Sequence, residues 1–255
     1  MLDIRSLLSE LQIEAEPIEG PRLTCGPVYM LRPSSEAERD GWMARLSSRP
    51  GVVPLTSDEP HEWLLNGEPS PQQVRAILND AARMLRELDR STESTQAAPD
   101  RIRAIGEWSR AHPDGAPLSS LLDAIANAPL VEVASTKREV PTGDGASPPA
   151  RCGETVAVVL TDEDPTAILA SIGFGYFNAC PPAAYHIACL RRWARDYGAT
   201  LIGLEADSYV VDVDEPPADE KERRRLLDEI ELLGPDEHPP LGELGSVRRW
   251  RFWWD

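Results

Sequence analysis

The chain has 255 residues, 41% of them hydrophobic, which is enough for a core and typical of one large or two small domains. Its 43 acidic and 26 basic side chains give a formal charge of −17, so its field repels phosphate backbones and we expect no nucleic-acid partner. The longest apolar runs, such as Val156 to Leu160, are far shorter than the roughly 20 residues of a membrane helix. No secretory signal is readable at the start of the chain, and we therefore predict a cytoplasmic globular protein without a membrane partner.

The cysteine pattern indicates free thiols. There are four cysteines and no CxxC pair, a density far below that of disulfide-stapled secreted domains. Cys180, His186 and Cys189, with or without Cys152, are the only zinc-ligand set that the sequence offers, and their spacing does not match the paired ligands of structural zinc sites. We therefore expect neither a metal nor a cofactor.

The N-terminal region alternates short strands with helices. After a short helical start, PVYMLRP from Pro27 to Pro33 predicts a strand, because apolar residues alternate between prolines. A serine at 34 or 35 followed by two glutamates predicts the start of a helix with Trp42 and Leu46 on one stripe. VVPL, from Val52 to Leu55, predicts a second strand, which Pro54 favours at a sheet edge.

The clearest helix of the chain begins after Ser70. Pro71 occupies the first helical position, Gln73 completes a capping box, and a long apolar stripe follows. Two further helices are predicted, one from Ile102 to Trp108 and one around residues 118–126. We therefore assign residues 1–134 to a mainly helical N-terminal region with short strands. Residues 135–153 are rich in Pro, Gly, Ser and charge, which is typical of a linker or loop.

Residues 154–255 predict a second α+β domain. Their patterns follow the order β-α-β-β-α-β, ending in the strand RWRFWWD. The main helix begins at the prolines of CPPAAYHIACLRRWARDYG and ends at Gly198. This order is typical of the ferredoxin-like arrangement, in which two helices cover one face of a mainly antiparallel sheet. Such a fold hosts unrelated activities, so it indicates no function by itself.

The C-terminal region also contains distinctive stretches: GFGYFNACPP from Gly173, DYGATLIGL from Asp196 and the final FWWD. Together with His186, LRRW and Asp207, these stretches resemble an uncharacterised bacterial family, the domain of unknown function 4253. The chain departs from the family in two places. It has Tyr176 and Phe177 where the family has Gly-Trp, and LLGPDEHPPLGELG replaces the family's Tyr-Cys-Pro-Asp segment. The resemblance implies a domain assignment and no reaction.

Cys180 is the candidate nucleophile. A thiol at a helix N-terminus is favoured as thiolate, and Asn178 or Asp207 are candidates for orienting a base. His186 is the nearest histidine in the sequence. Within one helix, six residues give about 9 Å of rise and about 240° of rotation, so we expect the two side chains to diverge. The spacing of His186 then predicts a core histidine on the helix stripe that contacts the sheet.

The densest acidic stretch, from Leu204 to Glu220, is the candidate binding surface. Alternation on a strand predicts Asp212 on a solvent-facing side of the sheet, and the stretch as a whole is suited to a basic partner. Aromatic residues occur at both odd and even positions of the last strand, so aromatic side chains point to both of its faces. Either both faces are covered or a tryptophan is exposed. The candidate binding residues are Asp212, Asp214, Glu215, Trp253 and Trp254.

Two functions follow from these candidates. The first is a non-enzymatic acidic interaction module of the immunity or antitoxin kind, which binds a basic protein. The second is a thiol-dependent hydrolase or transferase that uses Cys180. We favour the first, because no recognised catalytic motif occurs and the helix geometry separates Cys180 from its nearest histidine.

Overall fold

The computed structural model describes residues 3–57, 63, 69–93, 155–161, 164–175, 177 and 180–254. The predicted helices between 102 and 126 and the predicted linker 135–153 lie outside these residues. Among the described residues, no helix is both long and apolar enough to cross a membrane.

A single seven-stranded sheet organises the fold. Its order is β1-β2-β4-β3-β5-β6-β7, and only the contact between β3 and β5 is parallel. The mixed α+β class is therefore confirmed, and the sheet is mainly antiparallel. The strands are β1 (Ile18–Leu23), β2 (Gly26–Leu31), β3 (Val52–Ser57), β4 (Thr155–Leu160), β5 (Ala199–Leu204), β6 (Ser208–Val213) and β7 (Arg249–Trp253).

The strand order joins the two halves of the sequence. β4 comes from the C-terminal half, yet it pairs with β2 on one side and β3 on the other. β3 then separates β4 from β5, and these two strands run in opposite directions. The ferredoxin-like arrangement is not confirmed, because that fold needs parallel strands at the two ends of its first β-α-β unit. Sequence periodicity identifies every strand except β1, but it does not identify which strands are neighbours in the sheet.

Helices cover both faces of the sheet. This arrangement explains why β4 is apolar at successive positions. Val156 and Val158 contact the core under the first two helices, whereas Ala157 and Val159 contact the larger core on the opposite face. A strand buried on both sides needs apolar residues at every position. The helices are α1 (Ile4–Glu10) and α2 (Glu36–Ser47) on one face, and α3 (Pro71–Glu93), α4 (Ala167–Ile172), α5 (Ala183–Tyr197) and α6 (Glu220–Leu233) on the other.

The helix ends follow the capping residues that the sequence predicts. Ser35 caps α2 by accepting a hydrogen bond from the backbone N–H of Glu38. Ser70 and Gln73 form the predicted capping box of α3. Gly198 ends α5 in the left-handed conformation, with φ of 65°, which glycine adopts at little cost.

β7 forms one edge of the sheet, and its side chains alternate strictly between buried and more exposed positions. Trp250, Phe252 and Trp254 are buried in the larger core, while Arg251 and Trp253 lie on the other face and are partly exposed. The outer side of the strand is partly covered, because the backbone of Trp253 pairs with that of Glu237. Of the two readings of the aromatic pattern, the structure supports the one with a partly exposed tryptophan.

Candidate functional site

Cys180 and His186 contact each other, so the prediction that they diverge is wrong. The helix α5 begins only at Ala183, and Cys180 lies before it in a segment where helical geometry does not apply. Cys180 Sγ, before the helix, lies 3.4 Å from Nε2 of His186, which is in the first turn of α5. The two prolines before Ala183 delay the helix, because the residue before a proline disfavours the helical conformation.

Two further contacts fix the proton on the imidazole of His186. Nε2 lies 3.1 Å from the carbonyl oxygen of Pro181, and Nδ1 lies 3.3 Å from the hydroxyl of Tyr209. A carbonyl oxygen only accepts hydrogen bonds, so these partners assign the proton to Nε2 and make Nδ1 the acceptor from Tyr209. A protonated Nε2 cannot take the proton of Cys180. In this tautomer His186 is therefore not a base for the thiol.

Burial keeps both members of the pair uncharged. It lowers the pKa of His186 to about 3, although the hydrogen bond to Pro181 opposes this change. It raises the pKa of the Cys180 thiol, and the negative charge of Asp207 raises it further. A helix N-terminus alone predicts a lowered pKa, but Cys180 is only 5% exposed and desolvation outweighs the helix dipole. At neutral pH the contact is between a thiol and a neutral imidazole.

Aromatic rings surround His186. The ring centres of Phe174, Tyr209 and Trp254 lie 5.0, 5.7 and 4.9 Å from the imidazole centre, all nearly perpendicular to it. Such edge-to-face packing is typical of a well-ordered core. It agrees with the prediction of a buried core histidine. Tyr209 was not singled out from the sequence, although strand alternation places it on the same face as Val211.

The other predicted orienting groups lie elsewhere. Asn178 lies outside the described residues. Asp207 lies in the turn between β5 and β6, where its Oδ2 accepts a hydrogen bond of 3.0 Å from Trp253 Nε1. No described contact joins Asp207 to His186, whose Nδ1 partner is Tyr209. The structure thus links Asp207 to Trp253, a candidate binding residue, and not to the histidine.

The acidic candidates lie at the other end of β6. Asp212 forms an ion pair with Arg249 on β7, with Oδ1 2.8 Å from Nε. Asp214 and Glu215 follow the strand and are exposed, and no described basic side chain lies within ion-pair distance of either. Asp212 lies five positions along the chain from Asp207, which corresponds to about 16 Å along an extended strand. The acidic surface and the Cys180 cluster are therefore separate sites.

The two terminal tryptophans differ in exposure. Trp253 is partly exposed, whereas Trp254 is only 1% exposed and its Nε1 donates to the carbonyl oxygen of Leu233. Trp254 thus contributes to the core and presents no surface to a partner.

Cys180 and Cys189, which lie among the described residues, are free thiols, as predicted, whereas Cys152 lies outside the described residues. Within the same residues, no group of three or more His, Cys, Asp or Glu side chains is arranged to hold a metal ion.

Comparison with known proteins matches the C-terminal part of the chain to a family model. No curated protein and no solved structure matches the chain. A family model described as Domain of unknown function (DUF4253) matches residues 156–255, a range that begins in β4 and includes the Cys180 cluster and the acidic surface. This match confirms that the C-terminal part of the chain contains the domain of unknown function 4253, the family that its sequence resembles.

Proposed function

We propose that this protein is a non-enzymatic acidic module that binds a basic protein. The observation that supports it is the exposed pair Asp214 and Glu215, for which no described basic side chain supplies a partner. Two more exposed acidic residues, Asp219 and Glu222, follow at the start of α6, whereas the exposed Glu220 between them is paired with Arg224. An uncompensated charged surface attracts an oppositely charged partner and speeds its association.

We extend the proposal to the biological role. In it the protein neutralises its basic partner in the manner of an immunity protein or antitoxin and acts in the cytoplasm of a bacterium. Neutralisation needs a tight complex but no chemistry, which agrees with the uncharged state of the Cys180 and His186 pair.

A matched pair of double variants tests the binding surface. Asp214→Lys with Glu215→Lys reverses two exposed charges there, and Glu14→Lys with Glu16→Lys reverses two exposed charges near the N-terminus. Both double variants change the net charge of the chain equally. Affinity capture from the native lysate should recover the basic partner with wild type and with the N-terminal variant, but not with Asp214→Lys and Glu215→Lys. Equal recovery by all three proteins would contradict the proposal.

The second candidate function is a thiol-dependent hydrolase or transferase. The distance of 3.4 Å between Cys180 Sγ and His186 Nε2 favours it, because nucleophile and base must lie within hydrogen-bond reach. The raised pKa of the thiol and the proton on Nε2 count against it. Alkylation of Cys180 at increasing pH separates the two functions. An activated thiolate reacts well below pH 8.5, the usual range of cysteine, whereas the interaction module predicts slow alkylation throughout that range.

A further inference from the structure

Asp207 and Trp253 form a fixed pair at the end of the sheet. The backbone carbonyl of Asp207 accepts from the N–H of Trp254, and its carboxylate accepts from the indole N–H of Trp253. The turn itself is closed by a hydrogen bond from the N–H of Glu205 to the carbonyl of Ser208. Backbone and side chain of Asp207 are thus both held before any partner arrives.

Trp253 lies on the side of β6 and β7 that faces away from the larger core, and Asp207 lies in the turn just before β6. Trp253 lies opposite Ser208 in the strand register, whereas its neighbours Phe252 and Trp254 are buried among the helices. The core under α1 and α2 contains residues of β2, β3 and β4 and none of β5, β6 or β7. Both side chains are partly exposed.

Asp207 also differs from its acidic neighbours in charge balance. Asp212 is paired with Arg249, and Glu237 is paired with Arg251. For Asp207, no basic side chain lies within ion-pair distance among the described residues, and its one described side-chain donor is the neutral indole. The carboxylate charge of Asp207 is therefore available to an external cation. The indole ring of Trp253 beside it is already held in place by its hydrogen bond to Asp207.

We propose that Asp207 and Trp253 form a receptor for an arginine side chain of the basic partner. A guanidinium stacks on the face of an indole and at the same time donates to a carboxylate, here to Oδ1 of Asp207, which the indole leaves free. Lysine offers a compact ammonium that cannot stack in this way, so the receptor prefers arginine. This inference rests on the proposed function, because it names the group of the basic partner that is bound.

Nuclear magnetic resonance of the full chain tests the receptor. Hexa-arginine and hexa-lysine peptides carry the same side-chain charge and serve as probes, and the indole N–H resonance of Trp253 is assigned from its loss in Trp253→Phe. We expect hexa-arginine to move that resonance more than hexa-lysine does. We expect Asp207→Asn, which still accepts from the indole, to weaken hexa-arginine binding about tenfold. Asp214→Asn removes the same charge elsewhere and should change the affinity far less.

Folding defects are separated from binding defects by a second variant. Trp253→Leu removes the ring but keeps Asp207, so it should abolish the preference for arginine over lysine while thermal unfolding stays cooperative. The receptor is refuted when Asp207→Asn binds hexa-arginine as tightly as wild type, or when the Trp253 resonance stays still while others move. Loss of partner capture in Asp214→Lys with Glu215→Lys, together with an unchanged affinity in Asp207→Asn, would refute the receptor and leave the proposed function standing. Unchanged capture in that double variant would refute the proposed function itself.

Discussion

His186 is the side chain on which the uncharged state of the Cys180 cluster depends. It is fully buried, and a charged imidazolium there would be surrounded by aromatic rings and one thiol. Its two hydrogen bonds are satisfied by Pro181 and Tyr209 in the neutral form. Glycine at 175 is part of this arrangement, since a Cβ there would overlap the Pro181 carbonyl oxygen that accepts from His186.

The pKa of His186 makes folding stability depend on pH. Its pKa is about 3 in the folded protein and near 6.5 in the unfolded chain, so the stabilising effect of the neutral histidine is complete above pH 6.5. Between pH 6.5 and about 3 only the unfolded chain binds a proton at His186. As the pH is lowered through this range, His186 therefore decreases the free energy of unfolding by about 1.4 kcal/mol per pH unit. Urea unfolding of wild type and His186→Gln at several pH values measures this slope. The variant, although less stable at neutral pH, should lose that part of the slope, and parallel pH profiles would contradict the assignment.

At the scale of elements, α5 connects the two helices next to it through buried charges. Arg192 is 1% exposed, donates to the carbonyl oxygen of Leu88 on α3 and lies 3.1 Å from Glu229 on α6. Glu229 also accepts from the indole of Trp193. Burial raises the pKa of Glu229, although Arg192 and Arg225 oppose this shift. Such pairs add little net stability but leave a buried charge when one partner is removed.

Two adjacent arginines of α5 should therefore differ sharply. Arg192→Ala removes the nearest cation of the buried Glu229 and leaves it only the more distant Arg225 and the Trp193 indole, so it should lower the free energy of unfolding by about 3–5 kcal/mol. Arg191→Ala removes a partly exposed ion pair with Asp164 and should change it by less than about 1 kcal/mol. Denaturant unfolding of the two variants makes the comparison. Similar losses of unfolding free energy in the two variants would contradict an orientation of α5 that buries Arg192 and leaves Arg191 partly exposed.

Elements were easier to predict from the sequence than their contacts. The ends of α2, α3 and α5 follow from capping serines and glycine, because these signals are local. β1 was not predicted, since Gly20 and Pro21 interrupt it and it forms only as the partner of β2. The contact between Cys180 and His186 depends on where α5 begins, a boundary that single-sequence reasoning fixes poorly. The pairing of Asp207 with Trp253 needs the strand order, which periodicity does not contain.

At the scale of the whole molecule, the sheet makes the C-terminal segment depend on the N-terminal region. β4 pairs only with β2 and β3, and β5 reaches β4 only through β3. A fragment of residues 154–255 therefore leaves β4 without neighbours and exposes a strand that is apolar on both faces. We expect this fragment to lack a cooperative thermal transition, whereas the full chain has one. A fragment that melts cooperatively would show that the segment folds without β1, β2 and β3.

The proposed binding of a basic partner through Asp214 and Glu215 is tested by the association rate at varied ionic strength. Long-range attraction acts mainly on the association rate, and salt screens it. With the captured partner, wild type and Glu14→Lys with Glu16→Lys should associate fast at low salt and much more slowly at high salt. Asp214→Lys with Glu215→Lys should associate slowly, with a weak dependence on salt. An association rate that is independent of salt in wild type, or equal in the two double variants, would contradict the proposed binding of a basic partner.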